Sequence, residues 1–149
     1  MNVTSSVPGS ISLYVRGGRR RNRVYAGNGY AVLVGGPDAD TLVTGPGGGE
    51  LYGKGGNDRL VGNGYTYMDG GPGDDVLIAG ADGGELHGGD GNDRLVAGRV
   101  PTDIFGGPGN NVIYARNGVE DTIHCGGGHS IAYVDPTEDG VFDCETVIF

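Results

Sequence analysis

The sequence predicts an all-β fold, a right-handed parallel β-roll (a solenoid) with about 18 residues per coil. A nine-residue glycine-rich pattern starts at residues 35, 53, 70, 88 and 106, so its steps are 18, 17, 18 and 18 residues. Each glycine cluster is followed by a triplet with a large aliphatic residue in its middle. Repetition at a fixed period of this length is typical of solenoids, and we expect roughly 6–7 coils with a cap at each end.

Composition excludes several other classes of protein. The chain has 34 glycines in 149 residues, but glycine does not recur at every third position as it does in collagen. Leucine, isoleucine and valine return on schedule, which argues against a disordered glycine-rich chain. The net charge of -9 argues against nucleic acid as a partner and suits a protein that collects cations. No segment approaches the roughly 20 apolar residues of a membrane span.

Each period divides into two halves of about nine residues, and both halves have the composition of a turn followed by a strand. Glycine permits the tight backbone angles of the turn, and the triplet then forms a short strand whose middle side chain points inward. Two strands per coil build two parallel sheets with a thin core between them. The predicted inward rows are Val24, Leu42, Leu60, Leu77, Leu95 and Ile113 on one sheet, and Leu33, Leu51, Met68, Leu86 and Ile104 on the other.

The sixth place of the glycine-rich half holds an aspartate in four consecutive coils: Asp40, Asp58, Asp75 and Asp93. Stacked coils put these carboxylates in a column with a spacing of about 4.8 Å, where they repel one another. A calcium ion between successive turns reverses this effect, because Ca²⁺ accepts 6–8 carboxylate and carbonyl oxygens. Zinc prefers His and Cys, and magnesium retains its waters. The alternative is that the aspartates only cap turns through Asx hydrogen bonds.

The pattern G-G-x-G-x-D-x-U-x, with U a large aliphatic residue, resembles the nonapeptide of the RTX (repeats-in-toxin, haemolysin-type) calcium-binding family. The resemblance covers residues 35–114 well and residues 15–34 and 115–133 in degraded form. It implies that each ion lies between two stacked turns. The earlier turn would supply the carbonyls of its second and fourth residues, and the later turn those of its first and third. The sixth residues of both turns would supply the side-chain ligands.

Carried onto this sequence, the resemblance implies three well-formed calcium sites and a fourth, weaker site with one neutral ligand. The first joins Gly36, Asp38 and Asp40 to Gly53, Gly55 and Asp58. The second joins Lys54, Gly56 and Asp58 to Gly70, Pro72 and Asp75. The third joins Gly71, Gly73 and Asp75 to Gly88, Asp90 and Asp93. The fourth joins Gly89, Gly91 and Asp93 to Gly106, Pro108 and Asn111.

All four sites are expected on one edge of the solenoid. Typical members of the family carry aspartate turns on both edges, but the other half of each period here has only small or neutral residues in its sixth place. These residues are Ala31, Gly49, Thr66, Gly84 and Thr102.

One domain, residues 1–149, is expected: an N-terminal cap and degenerate coil (1–34), the calcium repeats (35–114) and a C-terminal cap (115–149). The first coil has arginines at positions 19–21, where the repeats would hold calcium, and this predicts a cationic cap. A covering strand is expected over residues 11–15. Cys125 and Cys144 are about one coil apart, which favours a disulfide between adjacent coils over two buried thiols.

These features favour a non-enzymatic calcium-binding module that is extracellular or on a cell surface. Residues 1–18 lack the order of a signal peptide, which leaves open a removed leader or another route of export, such as a virion. The sequence shows no catalytic motif, and His87, His124 and His129 are interpreted as isolated surface histidines. The alternative function is a self-assembling or partner-binding subunit that uses an outward apolar stripe, Tyr25, Val43, Val61, Ile78, Val96 and Tyr114.

Overall fold

The computed structural model describes residues 2–4, 13–136 and 139–149, and within them it shows a parallel β-solenoid without helices. Successive strands alternate between two sheets. Sheet A contains β1 (Asn2–Thr4), β3 (Arg23–Tyr25), β5 (Thr41–Val43), β7 (Arg59–Val61), β9 (Val76–Ile78), β11 (Arg94–Val96), β13 (Val112–Tyr114), β15 (Ile131–Tyr133) and β17 (Thr146–Ile148). Sheet B contains β2 (Leu13–Arg16), β4 (Ala31–Val34), β6 (Gly49–Tyr52), β8 (Thr66–Pro72), β10 (Gly84–Asp90), β12 (Thr102–Phe105), β14 (Thr122–His124) and β16 (Gly140–Phe142).

Every strand pairs in parallel with the strand one coil away, in the register that the repeat predicts. Leu42 pairs with Leu60, and Leu60 pairs with Leu77. The short triplet strands of the glycine-rich halves in the repeat region, such as Thr41–Val43, bury their middle residue and leave both flanks partly exposed. The structure thus confirms the predicted all-β solenoid of about seven turns with about 18 residues per turn.

The core is the two facing rows of aliphatic side chains that the period predicts. All eleven predicted residues have at most 1% of their surface exposed. The rows continue beyond the repeats with Ile123 on one sheet and Ala132 on the other, both fully buried. Since each strand contributes one inward side chain, the core is two side chains thick, and the backbone bonds of the turns must supply much of the remaining order.

The two longest strands run directly into the glycine-rich turns. β8 extends to Pro72 and β10 to Asp90, and their pairing includes Gly71 with Gly89 and Pro72 with Asp90. These turns therefore stack in register as closely as the strands do. This stacking positions the sixth-place residues of successive coils above one another.

The ends of the solenoid match two expectations. The covering strand predicted over residues 11–15 is observed as β2, although residues 11 and 12 lie outside the described residues. Cys125 and Cys144 form the predicted disulfide, with a Cα–Cα distance of 5.0 Å. The disulfide links the fully buried Cys125 to the chain segment between β16 and β17. The division into caps and a repeat region stays a prediction.

Two of the three histidines interpreted as isolated surface residues contact neighbouring rings, although within the described residues none of the three belongs to a metal-binding cluster. His87 and His124 belong to a continuous column of ring contacts on the outer face of sheet B, because the coil period aligns them with aromatic residues. The rings are stacked from His87 to Phe142 and tilted between Tyr52 and His87. Successive ring centroids are 4.7–5.8 Å apart along Tyr52, Tyr67, His87, Phe105, His124 and Phe142. His129 instead contacts the carboxylate of Glu145.

Candidate metal centre

The four sixth-place aspartates form the predicted column along one edge of the solenoid. Asp40, Asp58, Asp75 and Asp93 are each 1–2% exposed, although carboxylates are rarely buried without a partner. The column continues with neutral residues in the same place: Asn22 before it, and Asn111 and Ser130 after it. The parallel register and a step of 17–19 residues position these residues, so the period of the sequence determines the column.

One carboxylate oxygen of each aspartate accepts a backbone hydrogen bond from the coil before it. The backbone N–H of Asp40 donates to Oδ1 of Asp58 over 2.6 Å, and that of Asp58 donates to Oδ1 of Asp75 over 2.6 Å. The N–H of Asp75 donates to Oδ1 of Asp93 over 2.8 Å. The Asp93 N–H donates to Oδ1 of Asn111 over 2.9 Å. This ladder of hydrogen bonds joins successive coils even without a metal ion, and it differs from the Asx hydrogen bond that the alternative interpretation expects within a single turn.

The second oxygen is different, and it distinguishes a metal site from a turn cap. Oδ2 of Asp58, Asp75 and Asp93 is buried and receives no hydrogen bond. Asp40 Oδ2 accepts the Gly36 N–H at 2.6 Å. A buried carboxylate oxygen without a donor costs several kcal/mol unless a cation compensates it. Hydrogen bonds between coils therefore explain Oδ1 but leave Oδ2 of three aspartates unexplained.

A backbone carbonyl of the following turn lies beside each of these second oxygens. A methyl group added to Gly53 would overlap both Asp58 Oδ2 and the carbonyl oxygen of Gly70. A methyl group added to Gly70 would likewise overlap Asp75 Oδ2 and the carbonyl oxygen of Gly88. One added to Gly88 would overlap Asp93 Oδ2 and the carbonyl oxygen of Gly106. Glycine in the first place of each turn thus keeps open a position on which oxygens from two coils converge.

The chemistry of this donor set fits Ca²⁺. The converging atoms are carboxylate and carbonyl oxygens, which are the ligands that calcium prefers. Within the described residues, no three His, Cys, Asp or Glu side chains converge as a metal-binding cluster. A site built from one carboxylate per turn and several carbonyls is consistent with that finding.

Burial raises the pKa of the column aspartates. The pKa values of Asp58 and Asp93 rise to about 7, and that of Asp75 rises to about 6. Loss of hydration is the largest cause, and neighbouring carboxylates add to it, while the backbone hydrogen bond to each carboxylate opposes the rise. These shifts report a column that is unfavourable when fully ionised without a cation.

The other predicted ligand residues lie where stacked turns meet. The carbonyl of Gly36 accepts the Gly55 N–H over 3.0 Å, and the carbonyl of Asp90 accepts the Gly73 N–H over 2.8 Å. The carbonyls of Pro72 and Pro108 accept N–H groups of the preceding turn in the same way, from Gly56 and Gly91. The carbonyl oxygens of second- and fourth-place residues lie beside the residue in the same place of the next turn. The residues with this arrangement are Lys54, Gly56, Gly71, Gly73, Gly89 and Gly91. The structure therefore brings together the predicted residues of adjacent turns.

The arginines expected to form a cationic cap lie outside the aspartate column. The side chains of the arginines at positions 19–21 are exposed, whereas Asn22 is 3% exposed and lies in the sixth place of that coil. Sequence reasoning overlooked Asn22, although it occupies the same place in the first coil as Asn111 does in the fifth repeat. The arginine run contributes through its backbone, since the Arg20 N–H donates to Oδ2 of Asp38 over 2.8 Å.

The second edge also differs from the expectation that it holds only small or neutral residues. Asp121 occupies the sixth place there one coil after Thr102, whose N–H donates to Asp121 Oδ1 over 2.8 Å. The Asp121 N–H donates in turn to Asp139 Oδ1 over 3.0 Å. Asp121 Oδ2 is not an orphan, because it accepts the side-chain amide of Asn117 over 2.7 Å. Loss of hydration raises the pKa of Asp121 to about 6.

The predicted apolar stripe is a continuous column on the outer face of sheet A, in the register of the strand pairs. Tyr25 is 45% exposed. The column continues with Tyr133, whose ring stacks on that of Tyr114 with centroids 5.0 Å apart. The interface function of this column stays a prediction.

The fold and the column define a class of protein, a parallel β-solenoid whose turns carry oxygen ligands for a cation. The model of the RTX calcium-binding nonapeptide repeat family matches the chain in four copies, at residues 16–51, 43–64, 69–99 and 103–131. The chain belongs to this family, whose repeats bind Ca²⁺. Searches of the curated proteins and of the solved structures find no match. Among the described residues, no helix is long and apolar enough to cross a membrane.

Proposed function

We propose that this protein is a calcium-binding β-roll module whose folding and rigidity depend on a one-sided column of Ca²⁺ ions. The observation that carries the proposal is the set of three buried Oδ2 atoms, on Asp58, Asp75 and Asp93, that receive no hydrogen bond. A cation between turns compensates these charges, and ion binding then contributes directly to the free energy of folding.

The proposed sites are those between successive turns from Gly35 to Tyr114. The first three lie between pairs of aspartates: Asp40 with Asp58, Asp58 with Asp75, and Asp75 with Asp93. The fourth lies between Asp93 and Asn111, and it fills last because one of its side-chain ligands is neutral. The turn carbonyls named above supply the remaining oxygens.

We further propose that the module is non-enzymatic and works outside the cell. The carboxylates of the column are committed to turns and ions, which supports a structural function. The Cys125–Cys144 disulfide supports an oxidising compartment. Extracellular calcium modules bind with dissociation constants of about 10⁻⁴–10⁻³ M, so a module of this class is empty in the cytosol and occupied outside.

The test is circular dichroism and thermal unfolding of the protein in EGTA, followed by calcium titration to 10 mM and a magnesium control. We expect calcium, but not magnesium, to raise the β-sheet signal and the melting temperature steeply. Equal stability in EGTA and in calcium, together with no calcium binding by isothermal titration calorimetry, would reject the proposal in favour of turn capping.

A further inference from the structure

At both ends of the aspartate column, a side-chain nitrogen occupies the position that a side-chain oxygen occupies in the middle of the column. A methyl group added to the first-place glycine of each turn would overlap the same sixth-place atom in every coil. That atom is Oδ2 for Asp40, Asp58, Asp75 and Asp93, but it is Nδ2 for Asn22 and Asn111. The change from oxygen to nitrogen reverses the hydrogen-bonding character of the position from acceptor to donor.

At the C-terminal end, two side chains contact the four carbonyls that correspond by place to the calcium ligands of the repeats. Asn111 Nδ2 lies 2.9 Å from the second-place carbonyl of its own turn, at Gly107, and 3.2 Å from the first-place carbonyl of the next turn, at Cys125. Ser130 Oγ lies 3.3 Å from the fourth-place carbonyl, at Gly109, and 3.1 Å from the third-place carbonyl, at Gly127. Donors from two neutral side chains thus converge on these carbonyls.

At the N-terminal end, the side-chain nitrogen of Asn22 also contacts oxygens of its own turn and of the next, but in a different combination. Its Nδ2 lies 3.3 Å from the second-place carbonyl of Gly18 and 2.8 Å from the fourth-place carbonyl of Arg20. The same nitrogen lies 2.9 Å from Oδ1 of Asp40, the first carboxylate of the column.

The hydrogen-bond partners fix the orientation of the Asn111 amide. Its Oδ1 accepts the Asp93 N–H over 2.9 Å, just as each aspartate Oδ1 accepts the N–H of the coil before it. Its other terminal atom faces two carbonyl oxygens, so that atom must be the donor nitrogen. Asn111 therefore continues the ladder with one atom and replaces a cation with the other.

We propose that the side-chain amides of Asn22 and Asn111 act as built-in cation substitutes that terminate the calcium column and limit it to four ions. This inference rests on the proposed calcium function. The amide supplies two hydrogen-bond donors without net charge, so each asparagine can bond two of the oxygens around it whether or not calcium is present. The first and last turns of the column then stay ordered in the absence of calcium and provide the ends on which the middle turns assemble.

The test is to convert a terminator into a ligand with Asn111→Asp, which adds a carboxylate oxygen where Nδ2 lies. Calcium per protein chain is measured after equilibrium dialysis, together with melting temperatures in EGTA and in calcium. We expect four ions in the unmodified protein and five in Asn111→Asp. We also expect the variant to be less stable than the unmodified protein in EGTA and at least as stable in saturating calcium.

Asn110→Asp is the matched control, because it adds the same charge one residue away at an exposed position whose Oδ1 accepts the His129 N–H, as a carboxylate also can. It is expected to bind four ions. Asn111→Ala removes the donors and also the neutral ligand of the fourth site, so we expect no fifth ion, weaker binding at the fourth site, and a loss of stability in EGTA as well as in calcium. This second variant keeps the test informative if Asn111→Asp folds only with calcium.

The outcomes separate the two proposals. An unmodified protein that binds no calcium overturns the proposed function and this inference with it. Calcium binding by the unmodified protein, combined with an unchanged ion count and lower stability of Asn111→Asp in both buffers, overturns the terminator inference alone. An unmodified protein that already binds five or six ions does the same, because the asparagine positions would then hold calcium.

Discussion

Each sixth-place aspartate divides its two oxygens between two tasks. Oδ1 accepts a backbone N–H from the previous coil, and this bond can exist with or without an ion. Oδ2 of Asp58, Asp75 and Asp93 has no donor, and in the proposed function this oxygen is the one that binds the cation. An asparagine in the same place keeps the first task and removes the need, as Asn111 shows.

Substitution of Asp75 by Asn should have opposite effects on stability in the two buffers. In calcium, the variant loses one charge from each of two sites, and we expect their affinity to fall at least about tenfold. In EGTA, it removes a buried unpaired charge, and we expect a higher melting temperature than that of the unmodified protein. Calorimetric calcium titration and thermal unfolding measure the two effects.

Asp74→Asn is the control for this prediction, because it removes the same charge from the adjacent, exposed residue. It should change calcium affinity much less than Asp75→Asn. Equal losses of affinity in the two variants would mean that Asp75 acts only through the general negative field of this edge.

The raised pKa values predict an unusual pH dependence in calcium-free buffer. The pKa values of Asp58 and Asp93 are about 7 in the folded chain and about 3.8 when unfolded. Their protonation therefore stabilises the fold fully below about pH 4, and this contribution is lost as the pH rises through 7. We expect the melting temperature without calcium to rise by about 3 °C or more between pH 8 and pH 5.

Calcium should reverse that dependence. Ions must displace the protons, so calcium affinity should weaken as the pH falls from 8 to 5. The measurement is thermal unfolding in parallel pH series with and without calcium. A melting temperature that falls equally in both series toward pH 5 would argue against ionisation of the column as the cause.

Lys54 carries backbone strain at a predicted calcium ligand. It has a φ of 84°, in the region where the equivalent residues of the next three turns, Gly71, Gly89 and Gly107, lie without cost. We expect Lys54→Gly to be more stable than Lys54→Ala by about 1 kcal/mol, because alanine retains the strain. Chemical denaturation in saturating calcium measures the difference. No difference between the two variants would show that the turn relaxes when it binds its ion.

At the scale of the element, the unit of this fold is a turn and a three-residue strand that cannot stand alone. A strand such as β7 buries one leucine, and its hydrogen bonds all go to strands one coil away. The stacking of turns in β8 and β10 extends the same pairing into the glycine-rich segment. Each coil therefore depends on its neighbours, and the proposed calcium ions would join one element to the next.

The disulfide fixes the C-terminal cap to the core. Cys125 is fully buried and Cys144 packs against the hydrophobic core from the last coil, 19 residues later. We expect its removal by the double substitution Cys125→Ser and Cys144→Ser to lower the free energy of unfolding by about 2–4 kcal/mol. Chemical denaturation in calcium, with limited proteolysis to locate the loosened segment, tests this. Unchanged stability and no new cleavage after residue 125 would contradict the prediction.

At the scale of the whole molecule, both sheets present a column of side chains to solvent. On sheet A the column is the stripe from Tyr25 to Tyr114, extended by Tyr133. On sheet B it is the column of ring contacts from Tyr52 to Phe142, which includes two histidines. The regular period creates both columns, because a residue repeated at one place in each coil always forms a row.

The alternative function, self-assembly through the stripe on sheet A, predicts concentration-dependent association of the calcium-loaded protein. Substitution of Val61 and Val96 by lysine should abolish association without loss of calcium-dependent folding. Sedimentation velocity at increasing protein concentration measures this effect. Sedimentation as a monomer at all concentrations would reject self-assembly through this face, although a different partner would remain to be tested.

Much of this molecule follows from the sequence by itself. The period determines the strands, the two core rows and the aspartate column, because in a solenoid the neighbour of a residue is the residue one period away. Leu42 and Leu60, or Asp58 and Asp75, are adjacent for this reason alone. The pairing of Cys125 with Cys144 follows from the same arithmetic.

Only the tertiary structure decided which hydrogen-bond donor pairs with which acceptor and which rings are in contact. The amino-acid sequence alone could not show that Asn22, rather than the arginines beside it, completes the first turn, because this depends on which side chain points inward. The position of Asp121 above Asp139 was hidden by the irregular length of the last coils. The stack through His87 and His124 required the register of whole strands. Periodicity determines which residues are neighbours. The direction and the burial of each side chain determine its chemistry, and both arise only when the chain closes into coils.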